Sequence, residues 1–395
     1  MATIVITLHT HLPQVLRHYS VFDRDAHYFD AFRSRETTRR LVHRCVLPAN
    51  RILLGLIRRS EGRFRFSFSL SGVAADLFER FAPEALISFQ ALTETGCAEP
   101  LSMPYDNSLA LLYSRGAFRE QLRLHRERML GLFQREPVVF RNTEMIYGDD
   151  LATAVREMGF SGAICDGIYE ALAGHSCNRV WAGGDEALPL PLLLRNEQLT
   201  RDVSERFVDR GWDQWPLTAP RFAERLAQYD DPADVVTLVW DYCTFGLAIP
   251  ADAGILEFLR YLPEKVLEHD HLRFATASEA LCAPEVGGRY QPGRVVSTTE
   301  RLGNLSAWLG NPMQSHAAHR LFALEPAVRA ARDPSIQTDW LRLQACEYLE
   351  AMNMAGGSAS GALWSVAAAS PYDAFINYMN LCDSLSERCG VAVPV

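Results

Sequence analysis

The chain has 395 residues, of which 48% are hydrophobic and 22% charged. That balance suits a soluble globular enzyme and excludes intrinsic disorder, collagen-like repeats and coiled coil. The 39 basic and 48 acidic residues leave a net charge of −9, which argues against a protein devoted to nucleic acid.

At roughly 150 residues per domain, the length allows one large domain with a smaller one, or one barrel with extensions. A core of that size needs neither disulfide nor metal. Lys265 is the only lysine, so a lysine Schiff base would rest on one residue in a charged, solvated stretch. The nine cysteines are odd in number and contain no CxxC pair. A fully paired disulfide framework is therefore excluded, and a zinc ribbon lacks its usual ligand spacing. Residues 1–8 lack the basic start and apolar run of a signal peptide, and no apolar stretch suits a membrane span. The expected address is the cytoplasm.

Taken in chain order, short apolar strands alternate with longer helical segments. Thr3–Leu8 reads as a buried strand. Asp30–Arg59 reads as a helix broken near Pro48, and Arg63–Leu70 as a strand by its period-two alternation. Helices follow at Pro83–Thr95 and Gly116–Gln134, then a strand at Val138–Arg141, a helix at Asp149–Met158 and a strand at Gly162–Cys165. Leu188–Leu194 is extended, Pro220–Tyr229 helical, and Val235–Trp240 the clearest buried strand. Ala253–Leu262 reads as a helix, Leu272–Ala275 as a strand and Ser278–Cys282 as a helical turn. From about residue 291 only helices are expected, at Arg301–Trp308, His316–Arg332, Ile336–Met354 and Tyr372–Arg388, with a flexible linker at Ala355–Ala362. Such alternation predicts a parallel sheet, open or closed into a barrel.

In a parallel barrel, polar residues just after the strands face the active site. His9 and His11, Glu99, Glu144, Asp166 and Asp241 hold such places. An acidic residue there also serves as a helix cap, the plainer role for Asp166. Glu144 has rivals for capping in Asp149 and Asp150, and the segment after Asp241 is no helix start. Paired carboxyls on one barrel face suit glycoside hydrolysis. Aromatics such as Tyr147, Trp181, Trp215, Trp240, Tyr242 and Trp308 could stack on sugars or simply fill the core. His9 and His11 also allow a metal-dependent hydrolase, although no later histidine directly follows a strand. No GxSxG, P-loop, GxGxxG or HExxH is present.

Val139–Gly167, with Glu144, resembles the nucleophile region of glycoside hydrolase family 57 of the α-amylase type. Leu238–Gly246 resembles that family's general-acid segment, His9–Pro13 its opening motif and Ser69–Ser108 its second region. Ala307–Gln314 and Pro371–Leu381 resemble its helical part, so the likeness runs in order along nearly the whole chain. The resemblance implies an incomplete (β/α)7 barrel over residues 1–290 and a helical domain over 291–395 that completes the substrate cleft. It implies Glu144 as nucleophile and Asp241 as general acid/base of a retaining mechanism. His9, His11, Glu99 and Trp308 would bind substrate. The implied substrate is an α-1,4-glucan oligosaccharide or polysaccharide, with hydrolysis or transfer as the outcome and no cofactor or metal in the chemical step. Neither nucleic acid nor membrane is an expected partner.

Arg141, two residues before Glu144, should share its face and favour the charged carboxylate. Cys243 replaces an expected glutamate, Leu247-Ala248-Ile249 an expected Glu-His-Gln, Leu12 a glutamine and Asn107 a histidine. These departures leave open a carbohydrate-binding protein with weak or no catalysis.

Overall fold

A computed structural model describes residues 1–282, 287–297, 304–354 and 368–391. The strands are β1 (Ala2–Thr10), β2 (Phe66–Leu70), β3 (Ala98–Leu101), β4 (Val139–Arg141), β5 (Gly162–Asp166), β6 (Val180–Gly183), β7 (Leu190–Arg195) and β8 (Val235–Asp241). Seven of them run parallel in the order β3-β2-β1-β8-β7-β5-β4. The ends of that row meet. Ser102, just past β3, bridges in parallel to Phe140 of β4, donating to Val139 O at 2.9 Å and accepting from Arg141 N at 2.8 Å. The sheet is thus a nearly closed seven-stranded parallel barrel. β6 adds antiparallel to β7, and a late strand, Leu272–Phe274, lies parallel to the start of β1.

Two expectations need correction. The strand read as ending before Glu99 begins at Ala98, so Glu99 lies within it. β6 falls in a stretch that the sequence left irregular. The break expected near Pro48 takes the form of a π-helical segment, Val42–Val46, directly before Leu47–Arg59, and Pro48 sits in the first turn of that helix, where a missing N–H costs least.

Strand alternation sorts side chains between three apolar clusters. Outward residues Ile4, Ile6, Leu8, Phe66, Phe68 and Trp240 pack beneath helices Ala31–Leu41, Leu47–Arg59, Gly72–Phe81 and Ile255–Val266. A second cluster joins Phe140, Ala163, Leu192 and Leu194 to Trp308, Leu349, Tyr378 and Leu385 of the helical region. The inward residues Val5, Leu101, Val139, Ile164, Leu193 and Val239 form a third cluster that fills the barrel.

Among the described residues after 297, all regular elements are helices, as expected. His316–Arg332 resolves into Pro312–Ala323 and Glu325–Ala330. Ile336–Met354 resolves into Pro334–Arg342 and Cys346–Glu350. The second break has a cause: Ala345 pairs with Ser108 as an antiparallel bridge, and Cys346 N donates to Asn107 O at 3.2 Å. The expected linker at 355–362 and residues 301–303 of an expected helix lie outside the described residues.

Candidate active site

The C-terminal mouth of the barrel gathers polar side chains above the apolar plug. His9 on β1 is in register with Asp241 on β8 and with Ser69 on β2, so these three stand at one level. His9 and Asp241 line a cleft with Thr10, His11, Leu41, Glu144, Tyr242, Cys243 and Glu347. His9, His11, Glu144 and Asp241 therefore meet in one place.

Glu144 follows β4 in a short turn, with φ 47° and ψ 30°, and Met145 has φ 51°. Two consecutive left-handed non-glycine residues cost of order 1–3 kcal/mol each. Neighbouring bonds hold the turn: Thr143 Oγ1 donates to Ser108 O (2.9 Å), Asn142 Nδ2 to Ile146 O (2.9 Å) and Ser297 Oγ to Glu144 O (3.0 Å).

Each histidine is held by a serine. His9 Nδ1 lies 2.8 Å from Ser69 Oγ, and His11 Nδ1 lies 2.8 Å from Ser71 Oγ. His11 Nε2 is 3.0 Å from Glu347 Oε1, an ion-pair distance, but off the N–H direction that a hydrogen bond needs. Asn107 Nδ2 also donates to Glu347 Oε1, at 2.8 Å. Burial, Arg141 and His11 push His9 well below the ordinary imidazole range, so its ring is neutral near pH 7.

The two carboxyls feel burial and charge in opposition. Burial pushes Glu144 up to about 8; Arg141 pulls it down, while Asp241, Glu347 and Glu350 push it up. Asp241 is open at the cleft surface yet is also raised by desolvation, against Arg141, Arg195 and His11. Arg141 thus acts on Glu144 with the expected sign and is outweighed. It points inward, buried, with Nη1 on Asn142 O at 3.3 Å. Asp166 is not a helix cap: both its oxygens accept from Arg195, each at 3.0 Å. That pair fixes the second guanidinium near Asp241.

The raised Glu144 carboxyl has a stability consequence. Between its ordinary value of 4.5 and about 8 the folded protein holds a proton that the unfolded chain has lost, so stability falls as pH rises through that window. Glu144→Gln removes the cost. The variant should exceed the parent in chemical denaturation by about 4 kcal/mol at pH 8, with the gap closing toward pH 4.5. An equal gap at both pH values would contradict this assignment.

Glu99 and Trp308 are not brought to the cleft. Glu99 is in register with Ser67, two residues before Leu101 of the apolar plug, and so lies on its far side. Its Oε2 accepts from Ser67 Oγ and from Ser278 N, both at 3.0 Å, anchoring the helix Ala277–Ala280. Trp308 is 1% exposed and packs within the core of the helical region. Tyr147, Trp181 and Trp240 are likewise buried, so core packing accounts for them; Tyr242 is buried too but reaches the cleft wall.

Sequence reasoning missed Glu347. Ile336–Met354 was expected to be one helix, and the break that turns Glu347 toward His11 carries no glycine or proline. Its one signal is a pair of glutamates, 347 and 350, in an apolar segment.

A parallel barrel that brings two carboxyls from different strands to its C-terminal mouth places them where the active sites of such barrels lie. The chain belongs to glycosyl hydrolase family 57, whose sequence profile matches residues 5–297. It is 33% identical over 297 residues to a Methanocaldococcus jannaschii protein named "Putative alpha-amylase", covering 74% of this chain and 62% of that one. Its fold is similar to a 4-alpha-glucanotransferase from Thermococcus litoralis (TM-score 0.68, 16% identity, 88% of this chain and 56% of that one). It is also similar to a GH57-type branching enzyme from Pyrococcus horikoshii (TM-score 0.70, 13% identity, 100% and 96%). The chain thus spans about three-fifths of the length of the curated relative it matches.

Proposed function

We propose that this protein is a retaining glycoside hydrolase of α-1,4-glucans, with transfer to a second sugar as the other fate of the same intermediate. The observation that carries this reading is the meeting of Glu144 and Asp241 at one barrel mouth within a family 57 chain. Asp241 protonates the glycosidic oxygen as Glu144 attacks the anomeric carbon, forming a glycosyl ester. Asp241 then takes a proton from water or from a sugar hydroxyl, which displaces Glu144. The attack needs Glu144 ionised and Asp241 protonated. Free Glu144 is raised to about 8, so near pH 7 the proton must pass from it before or during substrate binding. Arg141 and Arg195 favour the anionic forms, and neutral His9 and Ser69-held imidazole geometry suit hydrogen bonds to sugar hydroxyls.

Residues 1–290 form the catalytic barrel in this reading, and 291–395 complete its cleft; Glu347 in the cleft wall supports that division. Nine free cysteines support a reducing, cytoplasmic location. Among the described residues no helix is long and apolar enough to cross a membrane.

Incubation with maltoheptaose, followed by mass spectrometry, tests the proposal. Shorter products are expected from hydrolysis, with longer ones also from transfer. Cys243 in the cleft wall, where a polar residue was expected, favours a second reading as a glucan-binding protein. Calorimetric binding of maltoheptaose with unchanged sugar would select it.

A further inference from the structure

Next to the proposed nucleophile lies a set of groups that sugar chemistry does not require. Cys346, 1% exposed, directly precedes Glu347. The thiol of Cys346 and one carboxyl oxygen each of Glu144 and Glu347 lie within 4.8 Å of one another. Glu347 is 7% exposed and its Oε2 is buried without a hydrogen-bond donor. A buried anionic oxygen left so is costly, and a cation is one way to satisfy it. Asn107 Nδ2 stands 3.4 Å from Cys346 Sγ and holds Glu347 Oε1 at 2.8 Å, so one amide orients two of the three groups. The cleft reaches both glutamates, giving an ion a route in.

We propose that Glu144, Cys346 and Glu347 form a binding site for a thiophilic divalent cation of the zinc class, and that its occupation silences the enzyme. One sulfur and two carboxylate oxygens suit Zn²⁺ or Co²⁺, with water or a sugar hydroxyl in a fourth position; sulfur disfavours Mg²⁺ and Ca²⁺. Metal-bond lengths of about 2.0–2.3 Å require the three donor atoms to draw in from the 4.8 Å within which they now lie. Binding is a ligand exchange without redox change: bonds form from the metal to the Cys346 sulfur and to the two carboxylate oxygens, the S–H bond of Cys346 and the O–H bond of Glu144 break, and both protons leave to solvent. The ion then holds the Glu144 carboxylate that would attack the sugar. The silencing rests on the proposed role of Glu144; the metal binding does not.

The two parts separate experimentally. Chelator-treated full-length protein is titrated with Co²⁺, and the near-ultraviolet thiolate-to-cobalt charge-transfer band is followed. A saturable band of one ion per chain, displaced by Zn²⁺, is expected. Cys346→Ser should lose the band, and the control Cys282→Ser, which alters an exposed thiol, should keep it. Glu347→Gln, with every cysteine intact, should weaken Co²⁺ binding about tenfold or more, and it serves if Cys346→Ser does not fold. No band in the parent, or a band and affinity unchanged in both Cys346→Ser and Glu347→Gln, overturns the site. A Cys346-dependent band with full maltoheptaose turnover in saturating Zn²⁺ retains the site and overturns the silencing. A parent that turns over no glucan leaves the metal titration to stand on its own readout.

Discussion

Glu144→Gln is expected to lower turnover of maltoheptaose by about 10⁴-fold or more, the scale seen when a covalent nucleophile is removed. Glutamine keeps the shape of the side chain and its place in the strained turn after β4, so the loss reports chemistry and not folding. Product release from purified variant and parent, measured side by side by mass spectrometry, checks it. Parental turnover in the variant would remove Glu144 from the reaction. The variant's predicted gain in stability near pH 8 is an internal control, because a misfolded protein would not show it.

Asp241→Ala should cost about 10²–10⁴-fold on maltoheptaose, the usual scale of general acid–base catalysis. A glucan carries a poor leaving group that must be protonated as it departs. An aryl α-glucoside with an acidic phenol leaves without help, so the variant should lose much less rate in forming the glycosyl ester with it. A burst of released phenol followed by slow steady turnover would show ester formation outrunning hydrolysis. Equal losses on both substrates would mean that Asp241 positions the sugar and does not move the proton. His9, in register with Asp241 and held by Ser69, provides a contrast, since its replacement should affect both substrates alike.

Most of the barrel was legible because its strands are short apolar runs ending in a polar residue. β1, β4, β5 and β8 announced themselves this way, and with them His9, Glu144, Asp166 and Asp241. β3 was misread because Gly96 precedes it, Pro100 lies within it and its apolar signal is weak; an offset of about three residues moved Glu99 from one end of the barrel to the other. Trp308 matched a family segment, but a sequence match does not say which side of a helix faces the cleft. Glu347 was out of reach for a different reason. Its position depends on Ala345 pairing with Ser108, a contact between residues 237 apart in the chain that neither local sequence encodes alone. The Arg141 effect was legible in direction, since period two sets its face. Its balance against burial needed the packed structure.

The plug of Val5, Leu101, Val139, Ile164, Leu193 and Val239 divides the barrel into two compartments. Below the carboxyls that plug fills the barrel, with Thr7 and Thr237 as inward polar side chains beside it, so the open mouth is the direct route for protons and water. Glu99, with Ser67 and Ser278, lies on the other side of that plug from the reacting bond. For protein engineering the two ends are separate workshops: the lower ring can be rebuilt for thermal endurance while the upper one is tuned for substrate choice.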